Sequence, residues 1–197
     1  VTVEAPVKRY ARAPAVTAVA VLLATLCPGC KSGSDLDAPS IGVLAGFIPE
    51  PPTVATDFVA LQTGVQSGGR ITLDVVVTEV AEPVSGIALK LKFPGNIAKF
   101  ERCLDGDLFA PGTCHASQAG LGADEVFIGR TITAPEPPVA VSGSKTIVRI
   151  EFVVFGFGAG DVVFEAQNLG GGDASALLDA NGDPILVDWF AGALTGM

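Results

Sequence analysis

From about residue 57 onward, apolar and polar residues alternate with a period of two. Ile71, Leu73, Val75 and Val77 alternate with Thr72, Asp74, Val76 and Thr78, and Ile87, Leu89, Leu91 and Phe93 with Ala88, Lys90 and Lys92. Further on, Val148, Ile150, Phe152 and Val154 oppose Arg149 and Glu151, while Val162, Phe164 and Ala166 oppose Glu165 and Gln167. Successive side chains of a strand point to opposite faces, so each run predicts a strand with one buried and one wet face. Turn-forming clusters separate the runs: Ser67-Gly68-Gly69, Glu82-Pro83, Pro94-Gly95-Asn96, Gly156 to Gly160, and Asn181-Gly182. Nowhere does a window of about a dozen residues repeat at the helical period with caps at its ends. The pattern predicts an all-β fold, an antiparallel β-sandwich of about eight to nine strands over residues 57–197.

The first 29 residues follow a different pattern. Lys8, Arg9 and Arg12 precede an apolar run from Ala15 to Leu26, broken only by threonines, and Gly29-Cys30 follows. A run this short fits the core of a signal peptide, because a spanning helix needs about 20 apolar residues. The small residue before Cys30 suggests a bacterial lipobox, which makes residues 1–29 a lipoprotein signal peptide and Cys30 the acylated first residue of the mature chain. Cys27 and Pro28 depart from the usual lipobox residues, which leaves ordinary secretion with cleavage near Cys30 as the alternative. Residues 30–56 are expected to be a Pro-rich tether. It opens with Lys31-Ser32-Gly33-Ser34 and is stiffened by Pro49, Pro51 and Pro52. Ile41 to Phe47 is apolar enough to dock on the domain that follows.

Charge narrows the range of partners. The chain has 12 Lys/Arg and 21 Asp/Glu; the first 29 residues hold three and one of these, leaving 9 and 20, a net charge of −11. A surface this acidic, with no basic cluster, repels nucleic acid, and the membrane is reached only through the N-terminal anchor. Cys103 and Cys114 remain in an oxidising compartment, where a pair at this spacing forms a disulfide closing a short loop.

Catalytic material is sparse. His115 is the only histidine, and no Gly-x-Ser-x-Gly elbow accompanies it. Asp179, Asn181 and Asp183 occupy positions 1, 3 and 5 of a calcium-loop pattern. That pattern then fails, with Pro184 where Gly is needed and Phe190 where a bidentate Glu belongs. The simpler expectation is a hairpin with Asn181-Gly182 in a type I′ turn, and no cofactor. Gly156 to Gly160 precedes a strand pattern, which makes it a turn and not a phosphate cradle. Trp189 is the only Trp or Tyr after residue 29 and shares a face with Ile185 and Val187 in the alternation, so the chain is poor in sugar-stacking surfaces. One outward row is unusually apolar: Ile147, Val153, Phe155 and Phe157, interrupted by Arg149 and Glu151. That row is the candidate partner face.

Three stretches, in order, resemble a cohesin. The first is the strand Arg70 to Val80 leading through Val84-Ser85-Gly86 into a strand that ends at Phe93-Pro94-Gly95-Asn96. The second is a strand pair, Thr146 to Phe155 and Asp161 to Glu165, joined through Gly158-Ala159-Gly160; the third is the hairpin Leu178 to Ile185. The resemblance implies a jelly-roll-like sandwich that is not an enzyme and that binds a macromolecule across one sheet face. The implied partner is a dockerin-like module of an exported polysaccharide-degrading protein. A carbohydrate-binding module acting directly on polysaccharide is the alternative within the same superfamily, and a secreted hydrolase is the alternative outside it. The expected location is the outer membrane or cell surface if Cys30 is acylated, and otherwise the medium.

Overall fold

The computed structural model describes residues 42–109, 111–118, 123–132, 136–165 and 174–197. The signal segment, Cys30 and the tether up to residue 41 lie outside the described residues, as does Ala166. The strands are β1 (Ala45–Pro49), β2 (Phe58–Ser67), β3 (Arg70–Thr78), β4 (Gly86–Lys92), β5 (Ala98–Asp105), β6 (His115–Gln118) and β7 (Glu125–Thr131). They continue with β8 (Ser144–Val154), β9 (Gly158–Phe164), β10 (Ala176–Leu178), β11 (Pro184–Ile185), β12 (Asp188–Phe190) and β13 (Gly192–Gly196). Among the described residues there is no helix.

The strands form two sheets, one of five strands in the order β12-β2-β3-β8-β5 and one of eight. In the larger sheet β1, β13, β9 and β4 lie side by side; β7 pairs the whole far edge of β4, and β6 pairs β7. The near edge of β4 is shared, with β9 pairing Leu91 and Lys92 and β10 pairing Gly86 to Ala88. Between those two strands Ser175, fully buried, closes the gap. Its hydroxyl accepts the Lys90 N–H at 3.0 Å and donates to the Lys90 carbonyl at 3.1 Å. Every described strand pair is antiparallel except β12 with β2.

The inward rows include those the alternation predicts, joined by Val126, Ile128 and Leu194. Leu73, Val75, Val148, Ile150, Phe152 and Val154 from the smaller sheet meet Leu89, Leu91, Val126, Ile128, Val162 and Leu194 from the larger, all buried. Phe152 sits at the centre, with the ring of Phe93 edge-on at 5.2 Å and that of Phe100 at 6.2 Å. Such packing of two inner faces is what two stacked sheets require.

Several expectations are corrected. The sandwich takes in part of the expected tether: Val43, Ala45 and Phe47 are buried, and β1 pairs β13 from Ala45↔Gly196 to Pro49↔Gly192. Pro49 is tolerated because β1 is an edge strand. The second cohesin-like stretch is not a strand pair, since β8 lies in the five-stranded sheet and β9 in the eight-stranded one. The crossing falls at Phe155 to Phe157, and Gly158 to Gly160 belong to β9. The hairpin Leu178 to Ile185 does form, as β10–β11. Its turn is not type I′, because Gly182 has φ of 83° while Asn181 is not among the positive-φ residues.

Candidate partner-binding face

The candidate row on β8 does not hold together as a face. A bulge causes this: Val75 pairs Val148 and Val76 pairs Thr146, so Ile147 is the extra residue of β8. An extra residue breaks the alternation, and both Ile147, 1% exposed, and Val148 turn into the core. Val153 stays on the outer surface, half-buried between Arg70 and Lys99 in the register. Phe155 and Phe157, 43% and 71% exposed, lie beyond β8 in the crossing between sheets.

What surrounds Val153 is a network of ions. Arg70 pairs with Glu101 and, at 3.3 Å, with Glu151, and Arg102 Nε donates to Glu151 at 2.7 Å. Burial alone would push the Glu151 carboxyl up, but Arg102 and Arg70 together hold it below the usual range. A second bulge supports this network. Phe100 pairs Phe152 and Arg102 pairs Glu151, leaving Glu101 extra and within reach of Arg70.

The outer face of the eight-stranded sheet offers a different surface. Ala88 and Lys90 on β4, Phe127 and Gly129 on β7, and His115 and Ser117 on β6 line a shallow groove. Their positions follow from the register, with Ala88↔Gly129 and Lys90↔Phe127 across one strand pair and His115↔Gly129 and Ser117↔Phe127 across the next. The two small residues keep the centre of the groove low, and a Cβ added at Gly129 would meet nothing within 4 Å. Phe127 forms its apolar floor, with the Lys90 ammonium 5.5 Å from the ring centroid. Charges ring it: Lys90 pairs with Glu165 at 2.6 Å and Glu125 at 3.7 Å, and Lys92 also pairs with Glu165. Hydrogen bonds from Lys90 and Lys92 hold the Glu165 carboxyl below its ordinary range. The alternation of Val126 and Ile128 against Glu125, Phe127 and Gly129 carried the signal for this site, a large aromatic in the wet register.

The remaining candidate residues take structural positions. Cys103 and Cys114 form a disulfide with Cα atoms 5.8 Å apart, joining β5 to the residue before β6 and so tying the edges of the two sheets. Beside it the buried Arg130 guanidinium donates to Asp105 at 2.8 Å and lies 5.4 Å from the Phe109 ring centroid. His115 is exposed at the start of β6. The Asp179 carboxylate accepts the backbone N–H groups of Asp183 and Asn181, each at 2.8 Å, and is held below the ordinary range chiefly by the first. Asp179 thus fastens its own turn, and among the described residues no group of three or more His, Cys, Asp or Glu converges as a metal shell. Trp189 packs against Phe164, ring centroids 5.0 Å apart, and is only partly exposed.

No protein-family model matches the chain, and no curated protein matches it. Solved structures do resemble it. A type II cohesin domain from the cellulosome of Acetivibrio cellulolyticus is 16% identical, with a TM-score of 0.53 over 71% of this chain and 95% of that one. The sixth cohesin of that organism's scaffoldin B, solved in complex with a Cel5 dockerin mutant, is 8% identical with a TM-score of 0.55, covering 70% and 96%. CaCohA2 from Clostridium acetobutylicum is 16% identical with a TM-score of 0.52, covering 70% and 88%. By these similarities the described residues from 43 to 197 have a cohesin-like fold, a β-sandwich of two facing sheets.

Proposed function

We propose that this chain is a non-catalytic, exported envelope lipoprotein, anchored through Cys30, whose cohesin-like domain binds a protein partner. The partner is a dockerin-like module of an exported polysaccharide-degrading protein. The observation that carries this reading is the groove over Ala88, Lys90, Phe127 and Gly129, an open sheet face with an aromatic floor and a charged rim. Apolar anchors ringed by ions suit a protein interface, where a few buried side chains supply most of the affinity. Similarity to cohesins solved in complex with dockerins supports the same reading. Packing of Trp189 against Phe164 disfavours the carbohydrate alternative, because a partly buried indole leaning on another ring offers a sugar less of its face.

The test is capture from the exported proteins of the source organism, with the full chain carrying Cys30→Ser as bait, beside a panel of polysaccharides. Recovery of a dockerin-like protein is the expected result. Binding to glycans with no protein recovered would overturn the reading.

A further inference from the structure

The outer surface of β1, β13 and β9 is unusually apolar at one end. Leu44 and Met197 exchange backbone hydrogen bonds of 2.7 and 3.0 Å, and continuing the pair Gly196↔Gly158 by one residue sets Met197 opposite Phe157. Leu44, Phe157 and Met197 are 58%, 71% and 65% exposed, in a line across three neighbouring strands. Phe155 and Val65, also exposed, lie at the same end, where the Gly68 and Gly69 carbonyls accept the N–H groups of Ala45 and Val154. Between the large side chains the face is low: the glycine at position 46 is overlaid by Thr195 and Met197. Acids on this surface lie toward the other end, where Asp161 and Glu50 border a hollow with Ile48 and Val163.

Resting on the envelope-lipoprotein reading above, we propose that this end of the sandwich lies against the lipid bilayer. Leu44, Phe157 and Met197 are set into the headgroup region. Covalent connectivity brings the bilayer there. Twelve peptide steps separate Cys30 from Gly42, so the first residues of the sandwich lie no more than about 40 Å from an acylated Cys30. Holding an apolar surface that close to lipid makes even a weak preference for the interface effective, since the second contact is intramolecular. A second copy of the chain fits less well. Three strands and five residues span a face of roughly 240 Å², against about 800 Å² per partner in a stable interface. The orientation also leaves the groove free. Along the strands, Ala88 lies about ten residues beyond Phe157, roughly 30 Å from the membrane end.

The experiment uses the full acylated chain on phosphatidylcholine vesicles, with an environment-sensitive fluorophore at Phe157→Cys or, as reference, at Ser117→Cys. Lipid-embedded quenchers should quench the label at 157 several-fold more than the label at 117, with a blue shift that appears only when vesicles are present. An acylated, vesicle-bound chain whose two labels quench alike overturns this inference and leaves the anchor standing. A chain whose intact mass shows no acyl group overturns the anchor and this inference together. A blue shift at 157 that depends on protein concentration without vesicles would make the face an interface between copies, and overturns the proposal as well.

Discussion

Single side chains settle how this surface is divided. Glu151 is mostly buried, and Arg102 and Arg70 outweigh the burial that opposes its charge. Its folded value lies below its ordinary 4.5. A depressed carboxylate stabilises the fold above the unfolded value, and that contribution is lost as pH falls from about 4.5 through the folded value. Asp74 works in the opposite sense, raised mainly by burial despite Arg149, so its ionisation disfavours the folded state. Glu151→Gln should therefore lower stability at pH 7 by about 1 kcal/mol, toward the low end because both arginines are solvent-exposed. It should also flatten the loss below pH 4.5, as followed by urea unfolding across that range. Ser175→Ala strands the Lys90 N–H between β9 and β10, at a cost of about 1–3 kcal/mol. An unchanged urea midpoint in that variant would show that the hydroxyl does not close the gap.

Elements show where the pattern of the chain was sufficient and where it was not. The long strands β3, β4 and β8 were legible, because each carries three or more apolar residues at strict alternation and the core needs them facing inward. Bulges were not legible, since one extra residue leaves the same composition and reverses the facing of everything beyond it. This is why Ile147 was expected on the surface and is in the core. The same device works constructively on β5, where Glu101 is the extra residue and Cys103 pairs Ile150 on the inward side. Strict alternation from Ala98 and Phe100 would point Cys103 outward, yet the bulge turns it toward Cys114. The strands β10 to β13 are two to five residues long, too short for a period to register. Burial of Phe47 on β1 likewise depends on a partner strand almost 150 residues away in sequence. The disulfide was legible from the spacing of Cys103 and Cys114 and the expectation of an oxidising compartment. Thiol counting on the unfolded, unreduced chain carrying Cys30→Ser should find Cys103 and Cys114 unreactive. Reduction should lower stability by roughly 2–3 kcal/mol, the chain-entropy value for a loop this short.

At the scale of the whole molecule, the two sheets have different surfaces. The five-stranded sheet fills its outer face with its own ion pairs over β3, β5 and β8. The eight-stranded sheet keeps an apolar groove at one end and an apolar edge at the other, which suits a domain that meets a partner on one side and an anchor on the other. Phe127 is the residue on which the partner reading rests, and Phe155 is the aromatic that the pattern of the chain favoured. The direct test is calorimetric titration of the captured dockerin-like protein into the full chain carrying Cys30→Ser, alone and with Phe127→Ala or Phe155→Ala. Truncating a buried anchor costs roughly 2–4 kcal/mol of binding, about 30- to 1000-fold in affinity. The groove predicts that loss for Phe127→Ala and near-unchanged affinity for Phe155→Ala. A tight complex with Phe127→Ala, weakened instead by Phe155→Ala, would contradict it.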